Sequence, residues 1–207
     1  MRKASDLLYR FRGYILALFA GALTVCPAAP FPHDFSRMAE SGPYFAALLF
    51  YTFGILLRIR SRQYIGQHTR GSAHAADELV TDGPYAYMRH PLYTSNTYIA
   101  LGAIFFHLGV SGLFHVFIIA IALFEYALAR AEDRFLEEKF GDAWRTWAKK
   151  TPMSNVDINT ILGDKKANSG ASLPQRTFFQ AFRADASTWF WFVFFNLIMV
   201  LLKIYTA

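Results

Sequence analysis

The sequence has a single cysteine, Cys26, in 207 residues, so neither a disulfide framework nor a cysteine-based metal site is available. Its six histidines, His33, His68, His74, His90, His107 and His115, show no H-E-x-x-H or comparable spacing, so no metal is expected as a partner. The Gly-rich turn between strand and helix that announces nucleotide binding in soluble enzymes is missing too. A nucleotide-like cofactor would need a site made from helix ends and loops. No repeat with a period of tens of residues is visible. Charge is scarce: 17% of residues are charged and 54% hydrophobic, with a positive mean hydropathy. A soluble domain would be similarly apolar but ~25% charged.

What the chain has instead is apolar length. Runs at residues 14–29, 44–57, 92–108, 113–129 and 189–202 approach or reach the ~20 residues that span a bilayer. The second and fifth are short and need tilt or local thinning. The first follows a basic stretch, and the Pro-rich "TVCPAAPFPHDF" after it mimics a cleavage site; the charge pattern requires it as a span. The formal charge of +6 is distributed by topology. Arg2, Lys3, Arg10 and Arg12 precede the first span. Arg58, Arg60, Arg62, Arg70 and Arg89 separate the second from the third, and residues 130–183 hold most of the rest. Only Arg37 and Lys203 fall on the other side. That is the positive-inside pattern, and it predicts a cytoplasmic N-terminus and an external C-terminus. The basic residues thus report orientation, and nucleic acid is not an expected partner.

The reading is all-α: a polytopic membrane protein of about five transmembrane helices, one integral-membrane domain over residues 1–207. The short "HLGVSGLFH" connection makes the third and fourth spans antiparallel neighbours. The two long polar segments lie on the cytoplasmic side. In the second, no helix breaker occurs before Gly141, so the fourth span should continue beyond the membrane, with Phe135, Phe140, Trp144 and Trp147 against protein or headgroups. "GDKKANSGAS" reads as a flexible linker. "PQRTFFQAFRAD" reads either as an interfacial helix, with Phe178, Phe179 and Phe182 on lipid and Arg176 and Arg183 outward, or as a plain connector. Residues 187–205 form an additional C-terminal transmembrane helix.

Two places carry candidate chemistry. Pro favours the first helical position, so the third span should begin at Pro91. Arg89 and His90 then sit at headgroup level beside the positive end of a helix dipole, where anions are favoured. The plainer alternative is an arginine anchor, a histidine cap and an aromatic belt of Tyr85, Tyr87 and Tyr93. The second place is the fourth span, where Glu125 is an ionisable residue within apolar surroundings. Glu132 lies seven residues on, on nearly the same face, with Asp133 beside it. Carboxylates there suit a ribose, a cationic centre or a base, although Glu125 also suits a structural bond to Asn96 or a tyrosine.

Together these stretches resemble a known family. "ELVTDGPYAYMRHPLYTSNTYIALG" resembles the R-H-P-x-Y signature of the isoprenylcysteine carboxyl methyltransferase and phospholipid methyltransferase superfamily, and "RAEDRFLEEKFGDAWRTWAKKTP" resembles its second signature. The resemblance covers residues 78–152. It implies an integral-membrane enzyme that uses S-adenosylmethionine, enclosed near the cytoplasmic face between the two motifs. By position it assigns Arg89, Glu132 and Asp133 to catalysis, and Tyr85, His90, Tyr93, Glu132, Trp144 and Trp147 to the cofactor. There are departures: Ser95 stands where Gly is usual and would crowd the cofactor, Asp133 replaces a second Glu, and Trp144 and Trp147 replace tyrosines.

The implied acceptor is an amphiphile or lipid bearing an amine, carboxylate, phosphate or thiol, and it would enter sideways from the bilayer. Arg89 and His90 would hold the carboxylate end of the cofactor, Glu132 its ribose or cationic end, and Tyr85 or Trp144 the sulfonium through cation–π contact. Two alternatives stand beside this: a sterol-type or enone reductase using NADPH, and a transporter or scaffold with Glu125, Asn96 and His107 along a path. The compact chain suits a bacterial inner membrane.

Overall fold

The computed structural model of the chain describes residues 2–65, 78–155, 158–163 and 176–206; residues 164–172 of the expected linker lie outside them. Among the described residues every regular element is helical. Five are long: α1 (Arg2–Thr24), α2 (Met38–Tyr64), α3 (Pro91–Leu108), α4 (Gly112–Phe140) and α8 (Ala186–Thr206). They coincide with the five apolar runs. By length and composition α2, α4 and α8 are able to cross a membrane. α2 and α8 prove longer than their apolar runs, at 27 and 21 residues, so neither is a short span. Three short helices follow α4 or precede α8: α5 (Asp142–Lys150), α6 (Asn159–Leu162) and α7 (Phe178–Ala184).

α3 starts at Pro91, behind His90 at the N-cap. It stops at Gly109, whose φ of +60° admits glycine most readily, and a three-residue turn leads into α4. α4 runs unbroken to Phe140, and Gly141 then reverses the chain into α5. The tightest helix pair is α2 against α3, where glycines let the backbones approach. A Cβ on Gly54 would lie 2.8 Å from Ile99, and one on Gly102 would lie 2.5 Å from the Tyr51 ring. Ser95 belongs to this contact. It is fully buried, its carbonyl faces Gly54, and its hydroxyl donates to the Leu92 carbonyl. The expected crowding of a cofactor by Ser95 is therefore corrected: its helix face is turned to α2.

At the end of the bundle opposite Arg89, Leu23, Ile104, Leu108, Phe114, Ile121 and Met199 form an apolar core. Beside it Lys203 is buried. Its ammonium donates to the Ala29 and His107 carbonyls and sits 5.3–5.7 Å from the Phe31, Tyr44 and Phe106 ring centres. Cation–π attraction of this kind is worth about 0.5–2 kcal/mol per ring. His107 packs here, its Nε2 3.1 Å from the Cys26 carbonyl, and belongs to this plug rather than to a path.

α7 carries a capping box between Thr177 and Gln180, and its Phe178, Phe179 and Phe182 are exposed as expected. Arg176, however, does not point outward. Its guanidinium donates to the Arg62 and Ile65 carbonyls at the C-terminus of α2, where helical carbonyls lack partners of their own.

Candidate functional site

The stretch before α3 folds as a tight 3-10 turn, residues 83–86. Gly83 opens it at φ +57°, with the Tyr64 ring where a Cβ would be. Tyr85 is thereby buried, and Trp147 of α5 donates its indole N–H to the Tyr85 carbonyl at 3.1 Å. The chain after α5 returns to the same place. The Arg89 and His90 amides donate to the Pro152 and Met153 carbonyls at 2.9 and 3.3 Å. Backbone bonds thus join the Arg-His-Pro motif of the first signature to the end of the second.

Side chains complete the junction. The His90 Nε2 lies 2.9 Å from an Asp133 oxygen; a carboxylate only accepts, so this nitrogen carries a proton. The other ring nitrogen faces Glu132 at 3.8 Å. The Arg89 guanidinium lies 3.4 Å from Asp133 and covers the Trp144 ring at 5.6 Å. Asp133, 3% exposed, therefore orients both residues from behind.

In front of them is a cavity of about 720 Å³. Tyr85, Arg89, His90, Tyr93 and Glu132 line it, with α1, α2 and α8 closing the other sides. Asp133, Trp144 and Trp147 do not. The expected contact of Trp144 with a sulfonium gives way to a contact with Arg89, because the turn at Gly141 sets α5 behind the motif. Two donors of cavity-lining residues are buried without a hydrogen-bond partner: the Arg89 Nε and the Tyr85 hydroxyl. Burial raises the Tyr85 phenol, so it stays protonated and able to donate.

Sequence reasoning assigned no role in the site to its α2 and α8 side. Arg58 and Arg62 converge on Asp185, at 2.8 and 3.0 Å, and all three line the cavity. Arg58 also donates to Asn96 at 2.6 Å and to Thr188 at 3.2 Å. Asn96 and Arg58 are the polar groups that face the buried, otherwise unpaired Glu125. The available sign was Asp185, an isolated acid immediately before an apolar run.

Comparison with known proteins identifies the family. The phospholipid methyltransferase family matches residues 43–143. The protein-S-isoprenylcysteine O-methyltransferase of Schizosaccharomyces pombe is 32% identical over 165 residues, 72% of this chain and 69% of that protein. The chain belongs to the isoprenylcysteine and phospholipid methyltransferase superfamily. The chain is also similar to the cobalt-zinc-cadmium resistance protein CzcN of Cupriavidus metallidurans, 40% identical over 121 residues, 58% of this chain and 51% of that one. The nickel-cobalt-cadmium resistance protein NccN of Alcaligenes xylosoxydans xylosoxydans is 35% identical over 83 residues, 39% of this chain and 37% of that one. The chain spans about half the length of CzcN. No solved structure matches. The family match begins within α2, well before the signature region expected at residues 78–152, and so takes in Arg58 and Arg62 of this superfamily member.

Proposed function

We propose that this chain is an integral-membrane methyltransferase that uses S-adenosylmethionine and methylates an amphiphilic or lipid acceptor. One observation carries the reading: the two signatures meet at one cavity whose polar end continues into an apolar chamber. The chamber, about 410 Å³, is lined by α1, α3 and α8, including Leu16, Leu23, Ile99, Phe195 and Met199. Gly13, Asn96 and Trp191 line both spaces. A polar cofactor and an apolar acceptor could thus meet without either crossing the other's medium.

The residues fit that cofactor. A volume of about 720 Å³ falls within the ~300–1,000 Å³ of small-ligand sites. The unpaired Arg89 Nε and Tyr85 hydroxyl are donors for a carboxylate or a ribose oxygen, and Glu132 is an acceptor for an ammonium or ribose hydroxyl. Bound here, S-adenosylmethionine would supply a methyl group activated on a sulfonium. Arg89 and His90 would fix the cofactor's orientation, themselves held by Asp133. Tyr93 and Phe135 would exclude water from the reacting end. We read all five long helices as crossing a bacterial inner membrane with the site on its cytoplasmic side, a reading that the arginine distribution favours.

The test is ligand-dependent stability of the purified protein in detergent. S-adenosylhomocysteine should raise the melting temperature and NADPH should not. Stabilisation by NADPH alone would replace this reading with a reductase.

A further inference from the structure

The chamber is apolar along most of its wall, but one pair deep in it is not. Tyr51 of α2 and Asn196 of α8 both line it, and the Tyr51 hydroxyl donates to the Asn196 Oδ1 at 2.7 Å. Asn196 in turn donates one N–H to the Phe192 carbonyl of its own helix at 2.8 Å. It makes no other bond among the described residues. A carboxamide has two N–H donors and two acceptor lone pairs, and a phenol oxygen accepts as well as donates. One N–H of Asn196 and oxygen lone pairs on both residues are therefore left over in an apolar space. A donor unmatched away from water costs about 1–3 kcal/mol. Fastening α2 to α8 does not require that cost, because two apolar side chains of similar shape would serve there almost equally well.

Two helices give the depth of the pair independently. Arg58 and Thr188 are bonded at 3.2 Å, and Thr188 lines both the cavity and the chamber, which marks the mouth. Tyr51 lies seven residues before Arg58 on α2, and Asn196 eight residues after Thr188 on α8. At 1.5 Å per residue both put the pair ~10–12 Å beyond the mouth. We propose that Tyr51 and Asn196 form a hydroxyl-binding site inside the chamber, for a lipid that carries an alcohol part-way along its apolar portion. The spare Asn196 N–H donates to the alcohol oxygen, and the alcohol returns its own proton to a lone pair of the pair. Both leftover functions are then used by one group. A plain hydrocarbon at the same place leaves the N–H bare, and a site built around a hydrogen bond rejects the analogue lacking it more sharply than an apolar pocket rejects by size. In naming that lipid as the methyl acceptor, the inference rests on the methyltransferase reading; the binding site itself does not.

The experiment uses the full chain in phosphatidylcholine nanodiscs, with empty nanodiscs as the partition blank. Three probes share one chain and one carboxylate: oleate, ricinoleate, which adds a hydroxyl midway along, and α-hydroxyoleate, whose hydroxyl adjoins the carboxylate. The head is constant, so its charge drops out of the comparison. Binding is read by calorimetry, with S-adenosylhomocysteine titrated separately. Ricinoleate should bind at least ~10-fold tighter than oleate, about 1.4 kcal/mol, and α-hydroxyoleate should bind as oleate does. Asn196→Leu should bring ricinoleate to within about threefold of oleate and leave S-adenosylhomocysteine affinity within about twofold, which also reports that the variant is folded. Tyr51→Phe keeps the ring that packs on Phe192 and Gly102, and should shrink the ricinoleate preference at least ~3-fold. It carries the comparison alone should Asn196→Leu fail to fold. Equal binding of oleate and ricinoleate to the unmodified protein would overturn the proposal. So would α-hydroxyoleate binding as tightly as ricinoleate, or a ricinoleate preference that survives the substitutions. Failure of S-adenosylhomocysteine to bind the unmodified protein would instead strike the methyltransferase reading and leave the hydroxyl comparison readable.

Discussion

Asp133→Asn is the substitution whose cost the structure lets us work through. The carboxylate makes two contacts, a 2.9 Å hydrogen bond from His90 and a 3.4 Å ion pair with Arg89. Asparagine can turn its carbonyl to His90 and keep that bond, but a charged acceptor becomes a neutral one. Hydrogen bonds to charged groups contribute about 1.5–3 kcal/mol and neutral ones about 0.5–1.5, so this contact loses about 1 kcal/mol. The asparagine NH₂ then faces Arg89, donor against donor. Arg89 is 15% exposed in its side chain, so the lost ion pair, long and partly solvated, adds a further ~0.5–1 kcal/mol. The sum is about 2 kcal/mol of stability. Asp133→Ala leaves both partners unmatched in a buried place and should cost more, about 3–5 kcal/mol. Because Asp133 does not line the cavity, any loss of cofactor affinity must act through Arg89 and His90. S-adenosylhomocysteine binding should fall at least ~10-fold in Asp133→Asn. Equilibrium unfolding in mixed micelles gives the stability order, and calorimetry gives the affinity. Equal stability of the asparagine and alanine variants would refute the two-contact account. Unchanged affinity in both would show that the cavity does not need its arginine and histidine held.

Glu132→Gln keeps the shape of a cavity-lining side chain and removes its charge; it should lower methyl transfer or cofactor affinity at least ~10-fold, while Glu138→Gln, on an exposed face, should stay within about twofold, measured as transfer of labelled methyl into a lipid extract. Gly83→Ala combines a left-handed backbone with a Cβ placed 2.4 Å from the Tyr64 ring, and should destabilise the protein by about 2–4 kcal/mol, read from the same unfolding assay. Ser36→Cys in the α1–α2 connection should react with a membrane-impermeant maleimide added to intact cells, and labelling only after lysis would reverse the proposed orientation.

The elements were legible where local chemistry decides them. Pro91 and Gly109 bound α3, Gly141 ends α4, and apolar length locates the five long helices. Arg89, His90 and Glu132 could be put near one another because two signatures flank a single helical hairpin. Arg58 and Arg62 could not be given a role, since the positive-inside rule accounts for an arginine at a helix end whether or not it also faces a cavity. Their partner Asp185 lies 123 residues from Arg62, and nothing local ties them. Trp144 and Arg176 were misdirected for a related reason. Each was assigned from amphipathic pattern or motif position, but a turn at Gly141 and the open carbonyls of α2 decided where they point.

Helix α8 is fastened at two points, through Asp185 beside its first turn and through Lys203 in its last. The fastenings are 18 residues apart, about 27 Å along a helix, nearly the thickness of a bilayer core. Between them its outer surface, Phe190, Val193, Phe194, Leu197 and Leu201, is bare and apolar. A wall pinned at both ends can bow at its middle but cannot swing aside. Were an apolar acceptor to reach the chamber sideways, this wall would give at mid-depth rather than at either end. A single chain that bends to enter would pass such a wall more easily than a bulky polar body. Selection by shape would begin at the wall, before any charge in the site is reached.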